Sequence, residues 1–144
     1  VRETAHEHTA VLASDPLCTR KARRWLTRLV LEAGFTSREA HDLAVAFSEA
    51  AANVHRHAYG GRRDGRVAVR VTIDATQVVV TLEHDGVPFD PDAYTPPDLG
   101  RPSESGYGLY LLASLVDRVS FEGDAAGGRV VLVKRRCCTV DLRV

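Results

Sequence analysis

The chain has 144 residues, 44% of them hydrophobic and 26% charged, which is enough for one core of ordinary size and too few for two. This composition excludes long disorder, collagen-like repeats and a disulfide-dense miniprotein. Nineteen Lys+Arg balance nineteen Asp+Glu, so charge gives no general attraction to nucleic acid or anionic membrane, and only local patches could supply one. A single domain over residues 1–144 is expected.

No apolar run is long enough to span a bilayer, and the opening VRETAHEHTAVLAS lacks the basic-then-apolar order of a signal peptide. A cytoplasmic location is expected, with no membrane and no direct nucleic acid as partners. Cys18, Cys137 and Cys138 have no metal-ligand spacing and are read as reduced thiols.

Residues 6–14 carry modest strand signals. Asp15-Pro16 then marks a helix start, an N-cap followed by a residue pre-set for the first helical position. The helix is expected to reach about Ala33, with Gly34 as its stop. Cys18, Ala22, Trp25, Leu26, Leu29 and Ala33 form its inward stripe, while Arg20, Lys21, Arg23, Arg24 and Arg28 lie mostly off it. That basic face is either plain solvent surface or part of a docking surface for a partner.

Thr36 with Glu39 has the form of a capping box, opening a second helix to about Ala58. Ala40, Leu43, Ala44, Phe47, Ala51, Val54 and Ala58 repeat at three-and-four spacing as its core stripe. Asp42, Glu49 and Asn53 lie opposite. Between Leu43 and Val54 the only charged residue is Glu49, flanked by Val45, Ala46, Ala50 and Ala52. A bare solvent face would carry more charge, so this helix should be covered on two sides, one against the core and one lining a cleft.

After the loop from Tyr59 to Gly65, alternation in Val67, Val69, Val71 and Ile73, the turn Asp74 to Gln77, and VVVTLEH predict an antiparallel hairpin. Residues 85–105, rich in Pro, Gly and Asp, read as a long functional loop. A third helix follows from about Gly106 to Asp117, with Leu109, Leu112, Ala113 and Val116 inward. Strand VSFEG, turn DAAGG and strand RVVLVKR close the chain. The order β-α-α-β-β-loop-α-β-β predicts an α+β fold, a two-layer sandwich of a mostly antiparallel sheet with helices on one face.

Glu49 and Asn53 are one helical turn apart, with His57 one expected turn further. A carboxylate and an amide oxygen so placed suit magnesium held mostly by phosphate and water, and the carboxylate can take a proton from a nucleophile. His55 and His57 are also read as packing or capping the helix end. Gly106-x-Gly108 at a loop-to-helix junction allows close backbone approach, and the helix N–H groups beyond it can hold phosphate. No P-loop, Ser/His/Asp spacing or Cys/His metal pattern is present.

Taken in order, SEAAANVHRHAYG (Ser48 to Gly60), EHDGVPFDP (Glu83 to Pro91), GYGLYLL (Gly106 to Leu112) and GGRVVLVKR (Gly127 to Arg135) resemble the N-box, G1 box, G2 box and last hairpin of the GHKL ATPase/kinase superfamily. The resemblance is closest to the bacterial anti-sigma-factor serine kinases and runs from Asp15-Pro16 to Lys134. It implies a Bergerat-type site for ATP and Mg2+ with the long loop as lid. It also implies Glu49 as catalytic base, Asn53 as magnesium ligand, Gly86 beneath the adenine, and Gly106 and Gly108, with Tyr107 and Leu109, at the triphosphate. His57, His84, Asp85, Arg101 in the lid and Arg129 complete the expected nucleotide-binding set. The implied partners are a sigma factor, an anti-anti-sigma protein as substrate, and a second copy of the chain.

Two positions depart from the family pattern. His84 stands where an Asp accepts from the adenine amino group, and Asp85, one place along, points to the other face of a strand. Arg129 stands where a small polar residue is usual, and both departures are expected at the adenine end. The competing reading is a nucleotide-impaired binding module acting by protein contact alone.

Overall fold

The computed structural model describes residues 5–88 and 107–137, and for 107–110 only the backbone. The described residues form β1 (His6–Ala13), α1 (Pro16–Glu32), α2 (Ser37–Asn53), β2 (Arg66–Ile73), β3 (Gln77–His84), α3 (Tyr107–Leu115), β4 (Arg118–Asp124) and β5 (Gly127–Arg135). The strands make one sheet in the order β1-β2-β3-β5-β4, and every neighbouring pair is antiparallel. The expected two-layer α+β sandwich is what the chain forms.

Side chains alternate across the sheet as the period of two requires. Val67, Val69, Val71, Ile73, Val78, Val80, Leu82, Val130 and Leu132 are all buried, in one core with the helices. Phe47 and Leu43 of α2, Leu26 and Val30 of α1 and Leu112 of α3 meet them there. Ala46 and Ala50, off the predicted core stripe, are as fully buried as Phe47. Both belong to the same core cluster, so the packed face of α2 is wider than the predicted stripe.

Local signals account for most element ends. The Asp15 carboxylate accepts from Leu17 N at 2.8 Å with Pro16 as the first helical residue. At the far end Gly34 adopts φ +90°, letting Phe35 N reach back to Val30 O at 3.3 Å. Asp74 Oδ1 accepts from Thr76 N and Gln77 N, closing the β2–β3 turn. The β4–β5 turn is tighter than DAAGG implied: Ala125 and Ala126 alone make it, and Gly127 and Gly128 are strand residues. Among the described residues no helix is long and apolar enough to cross a membrane, and Cys18 and Cys137 are unpaired.

Three expectations need correction. The last residues of the second helix are not α-helical: Val54–Ala58 form one π-helical turn, in which Tyr59 N reaches Val54 O at 3.2 Å. Ala33 is exposed, because it is the C-cap of α1 rather than part of its packed stripe, and Val30 fills the core position instead. Ala113 is also exposed, since the residues that pack there are Leu112, Leu115 and, just past the end of α3, Val116.

The capping box at α2 does more than start a helix. Thr36 Oγ1 accepts from Glu39 N, and Glu39 Oε1 accepts from Thr36 N at 2.8 Å. The other carboxylate oxygen accepts from Cys137 N at 2.6 Å, beyond the end of β5. The neighbouring Arg136 guanidinium donates to Ala33 O, Gly34 O and Ala75 O and lies 4.1 Å from the Phe35 ring centroid. One acidic cap and one arginine thus tie the strand exit to the α1–α2 loop and the β2–β3 turn.

Burial pushes the Glu39 carboxyl up, but the backbone N–H groups of Thr36 and Cys137, the Thr36 side chain and Arg136 outweigh it and hold the group below its ordinary value. A depressed carboxylate stabilises the fold at pH above its unfolded value, and that contribution is lost as pH falls through the folded value. Glu39→Gln should therefore lower stability at neutral pH by about 1 kcal/mol, the range of a lost cap interaction. Its thermal midpoint should approach that of the parent below the ordinary glutamate range, about pH 4.3. Unfolding scans at neutral and acid pH check this, and an equal gap at both would contradict it.

Candidate functional site

Glu49 and Asn53 occupy the last turn and a half of α2, on the face opposite its core stripe. Glu49 is half-buried and has no hydrogen-bond or ion-pair partner among the described residues. Asn53 is 9% exposed, and its Oδ1 accepts from Arg56 Nη2 at 3.0 Å. A carboxamide oxygen has two lone pairs, so one stays available beside that guanidinium. The alanines on either side keep the helix surface low around both groups.

The π-helical turn decides what comes next. One residue wider than an α turn, it leaves His57 exposed and brings Ala58 and Tyr59 inward. His57, four residues after Asn53, lies within this turn and is exposed. His55 is half-buried, with a buried Nδ1 that has no partner among the described residues.

The helix end and the end of β3 are locked together through backbone. Val87 N donates to Ala58 O at 3.0 Å. Any Cβ on Gly86 would overlap that same carbonyl, so the G1 glycine is demanded here by close approach. Tyr59, 4% exposed, adds a side-chain strut. Its hydroxyl accepts from Asp85 N at 3.2 Å, and its single proton has Asp85 Oδ1 at 2.7 Å and Arg66 O at 2.6 Å within reach. Burial and the Asp85 carboxylate raise the tyrosine above its ordinary value, so it stays a neutral donor. The Tyr59 ring lies so close over Gly65 that a Cβ there would overlap it.

Asp85 is therefore engaged with Tyr59 rather than facing the helix layer. His84 faces it. The imidazole shares the side of β3 that carries Val78, Val80 and Leu82, lies edge-on to Tyr59 with centroids 6.0 Å apart, and sits directly opposite Gly128. Its Nδ1 is buried without a partner among the described residues. Burial lowers its basicity, with Asp85 as a weaker opposing influence, so the ring is neutral near pH 7.

Arg129 is set apart from this cluster. The register pairs it with Glu83 and Glu122, and its guanidinium lies 3.2 Å and 3.5 Å from their carboxylates on the face of the sheet away from the helices. The strand residue that meets His84 is Gly128, which the sequence reading did not single out. A depression of about 390 Å³ beside the hairpin tip includes His84, Gly123, Gly127 and Gly128 in its wall, with Glu83 and Arg129 also lining it.

Arg101 and Gly106 lie outside the described residues, as does the lid from Phe89 onward. Tyr107, Gly108 and Leu109 form the first turn of α3, whose side chains are likewise outside the description. Among the described residues no cluster of three His, Cys, Asp or Glu could hold a metal ion by itself. Asn53 with a polyphosphate fits magnesium better than an all-protein cage would, because that ion keeps phosphate and water ligands and needs few from protein.

Tyr59 and Arg56 also escaped the sequence reading as site residues. Both lie inside the quoted HRHAYG segment, but nothing in local spacing reveals that one props the β3 exit and the other contacts Asn53.

A second surface lies away from this cleft. The outer side of α1 carries a groove of about 510 Å³ lined by Arg20, Arg23, Arg24, Arg28, Thr27 and Leu31, with Glu32 as its one acidic residue. None of the four guanidinium groups has an ion-pair partner among the described residues. Leu17, at 63% exposed, and Leu31, at 42%, flank the basic stretch.

Comparison with known proteins agrees with this fold. The family model described as histidine kinase-like ATPase domain matches residues 12–134. Serine-protein kinase RsbW of Bacillus subtilis is 34% identical over 120 residues, covering 78% of this chain and 74% of its own. RsbW of Bacillus velezensis is 31% identical over 131 residues, 85% of this chain and 81% of its own. The anti-sigma F factor of Clostridium novyi is 28% identical over 110 residues, 74% and 77% of the two chains. Among solved structures, the RsbU and RsbW domains of a Mycobacterium tuberculosis protein superpose with TM-score 0.68 at 19% identity, covering 91% of this chain and 32% of that one. That likeness speaks for the fold alone, and this chain spans about a third of the chain it resembles. Because the family model covers nearly the whole folded region and several relatives exceed 30% identity across most of it, the chain belongs to the histidine kinase-like ATPase family.

Proposed function

We propose that this chain is an anti-sigma-factor serine kinase, acting in the cytoplasm as a single-domain homodimer that phosphorylates a serine of an anti-anti-sigma protein and sequesters a sigma factor. The observation that carries the catalytic part is Glu49, a half-buried carboxylate without a described partner, one turn from the Asn53 amide on a face of α2 almost empty of other charge. The relatives named as RsbW kinases and as an anti-sigma F factor support the same activity and partners.

In this reading Glu49 accepts the hydroxyl proton of the substrate serine as its oxygen attacks the γ-phosphorus of ATP, and the bond to the β-bridging oxygen breaks to leave ADP. Asn53 would hold magnesium, which when bound offsets charge on the β- and γ-phosphate oxygens. Adenine would lie near Gly86 and His84, and the phosphates at the start of α3, where Gly106 and Gly108 allow close backbone approach. Arg101 in the lid would add a cation toward phosphate. Asp85 and Arg129 are engaged by Tyr59 and by the two glutamates, so neither is assigned to the nucleotide.

For the sigma factor and the anti-anti-sigma protein, the α1 groove is the supported docking surface. Its unpaired arginines and flanking leucines suit an acidic surface with apolar residues between the charges. The open edge of β1, with Val11 58% exposed, supports the second copy of the chain.

Three outcomes test the proposal. Glu49→Gln keeps size and hydrogen bonding but removes the base, so phosphoryl transfer to the substrate protein should fall by about 10²–10⁴-fold while ATP affinity is nearly kept. Transfer at parental rate would defeat the base assignment. Asn53→Ala should abolish the magnesium-dependent part of ATP affinity in a folded protein, read by calorimetry with and without the ion. Arg24→Glu should weaken capture of the sigma factor and make the remainder less salt-dependent, because an outward charge on the docking surface is reversed. A folded parent that captures sigma factor but binds no nucleotide would establish the binding-module reading instead.

A further inference from the structure

His84 and the two glycines of the last hairpin form a unit. Gly127, at φ +142°, passes so close to the His84 carbonyl that a Cβ would overlap it. A Cβ on Gly128 would lie 2.7 Å from His84 Nε2 and 2.8 Å from its Cε1. Both positions are therefore tied to residue 84, one by its backbone and the other by its ring. The imidazole takes the space that any side chain at 128 would need.

The ring so seated is unsatisfied. Nδ1 is buried and unbonded, and neither nitrogen has a hydrogen-bond partner among the described residues. A buried polar atom without a partner is costly in a finished fold and calls for a ligand or for water. In addition, no described neighbour pins the tautomer, which is ordinarily set by the bond the other nitrogen makes. With its proton on Nε2, Nδ1 accepts. With its proton on Nδ1, it donates. A carboxylate at this place could only accept.

Adenine presents an amino donor at its 6-position and guanine a carbonyl acceptor. Building on the nucleotide site proposed above, we propose that His84 reads the purine 6-position through whichever tautomer the base requires, so that the site takes guanine as well as adenine nucleoside triphosphates. Gly128 is the accommodating residue that leaves the ring room to do so.

The test is the binding of ATP and GTP, each with magnesium, to the full chain and its variants by calorimetry, with thermal melting to confirm folding. The parent should bind the two nucleotides within roughly tenfold of each other, since each base makes one neutral hydrogen bond. His84→Gln, whose amide both donates and accepts, should keep that ratio. His84→Asp should favour ATP by a further factor of roughly 10–100, because a carboxylate facing a carbonyl leaves two acceptors unpaired. His84→Leu should weaken both nucleotides alike. A parent that binds ATP but prefers it to GTP by roughly a hundredfold or more would overturn this inference and leave the kinase reading standing. An unchanged ratio in a folded Asp variant would do the same, whereas binding of neither nucleotide by the folded parent would overturn both. If the Asp variant does not fold, the parental ratio and the Gln variant still decide.

Discussion

Everything proposed for the cleft depends on how closely the end of the second helix approaches the end of the third strand. The Ala58 carbonyl receives Val87 N–H and leaves no room for a side chain on residue 86. Tyr59 closes the same junction from the side through Asp85 and the Arg66 carbonyl. Buried backbone polar groups must be paired. Here the pairing of one carbonyl and one hydroxyl also sets the distance between the helix that carries Glu49 and Asn53 and the strand that carries His84. The proposed catalytic residues on one element and the proposed base-reading residue on the other are held in register by that junction.

The π-helical turn is part of the same solution. The wider turn closes through Tyr59 N and Val54 O and ends with Ala58 and Tyr59 buried, where the Ala58 carbonyl meets the exit of β3. Such turns cost hydrogen-bond quality and persist where a function or a tertiary contact needs the altered phase. The contact served here is with Gly86 and Val87.

The two distinct surfaces suit two tasks of a regulator. The proposed catalytic face of α2 holds its polar groups sparsely, with alanines around Glu49 and one buried amide. The outer face of α1 is dense in charge, with guanidinium stems forming much of its groove. They lie on different helices but in one packed core, since α1 and α2 share the cluster around Leu26, Val30, Leu43 and Phe47. A substitution that loosened this core would disturb both surfaces, so variants that separate the tasks have to be chosen among exposed side chains.

Much of this was legible in the sequence because the signals are short-range. Asp15-Pro16 and the Thr36/Glu39 box start helices through bonds spanning two or three residues, and alternation along β2 and β3 follows from the geometry of a single strand. The candidate boxes were legible too, since each is a contiguous segment. Tertiary structure alone decided the rest. Whether Arg129 or Gly128 meets His84 is a matter of strand register, and one residue of register sends a side chain to the opposite face. That Glu39 accepts from Cys137 across 98 residues of chain, that Asp85 belongs to Tyr59, and that the helix widens before Ala58 are all settled by partners remote in sequence. Local spacing carries no record of them, because the energy that selects them arises only once the sheet and the helix layer have closed on each other.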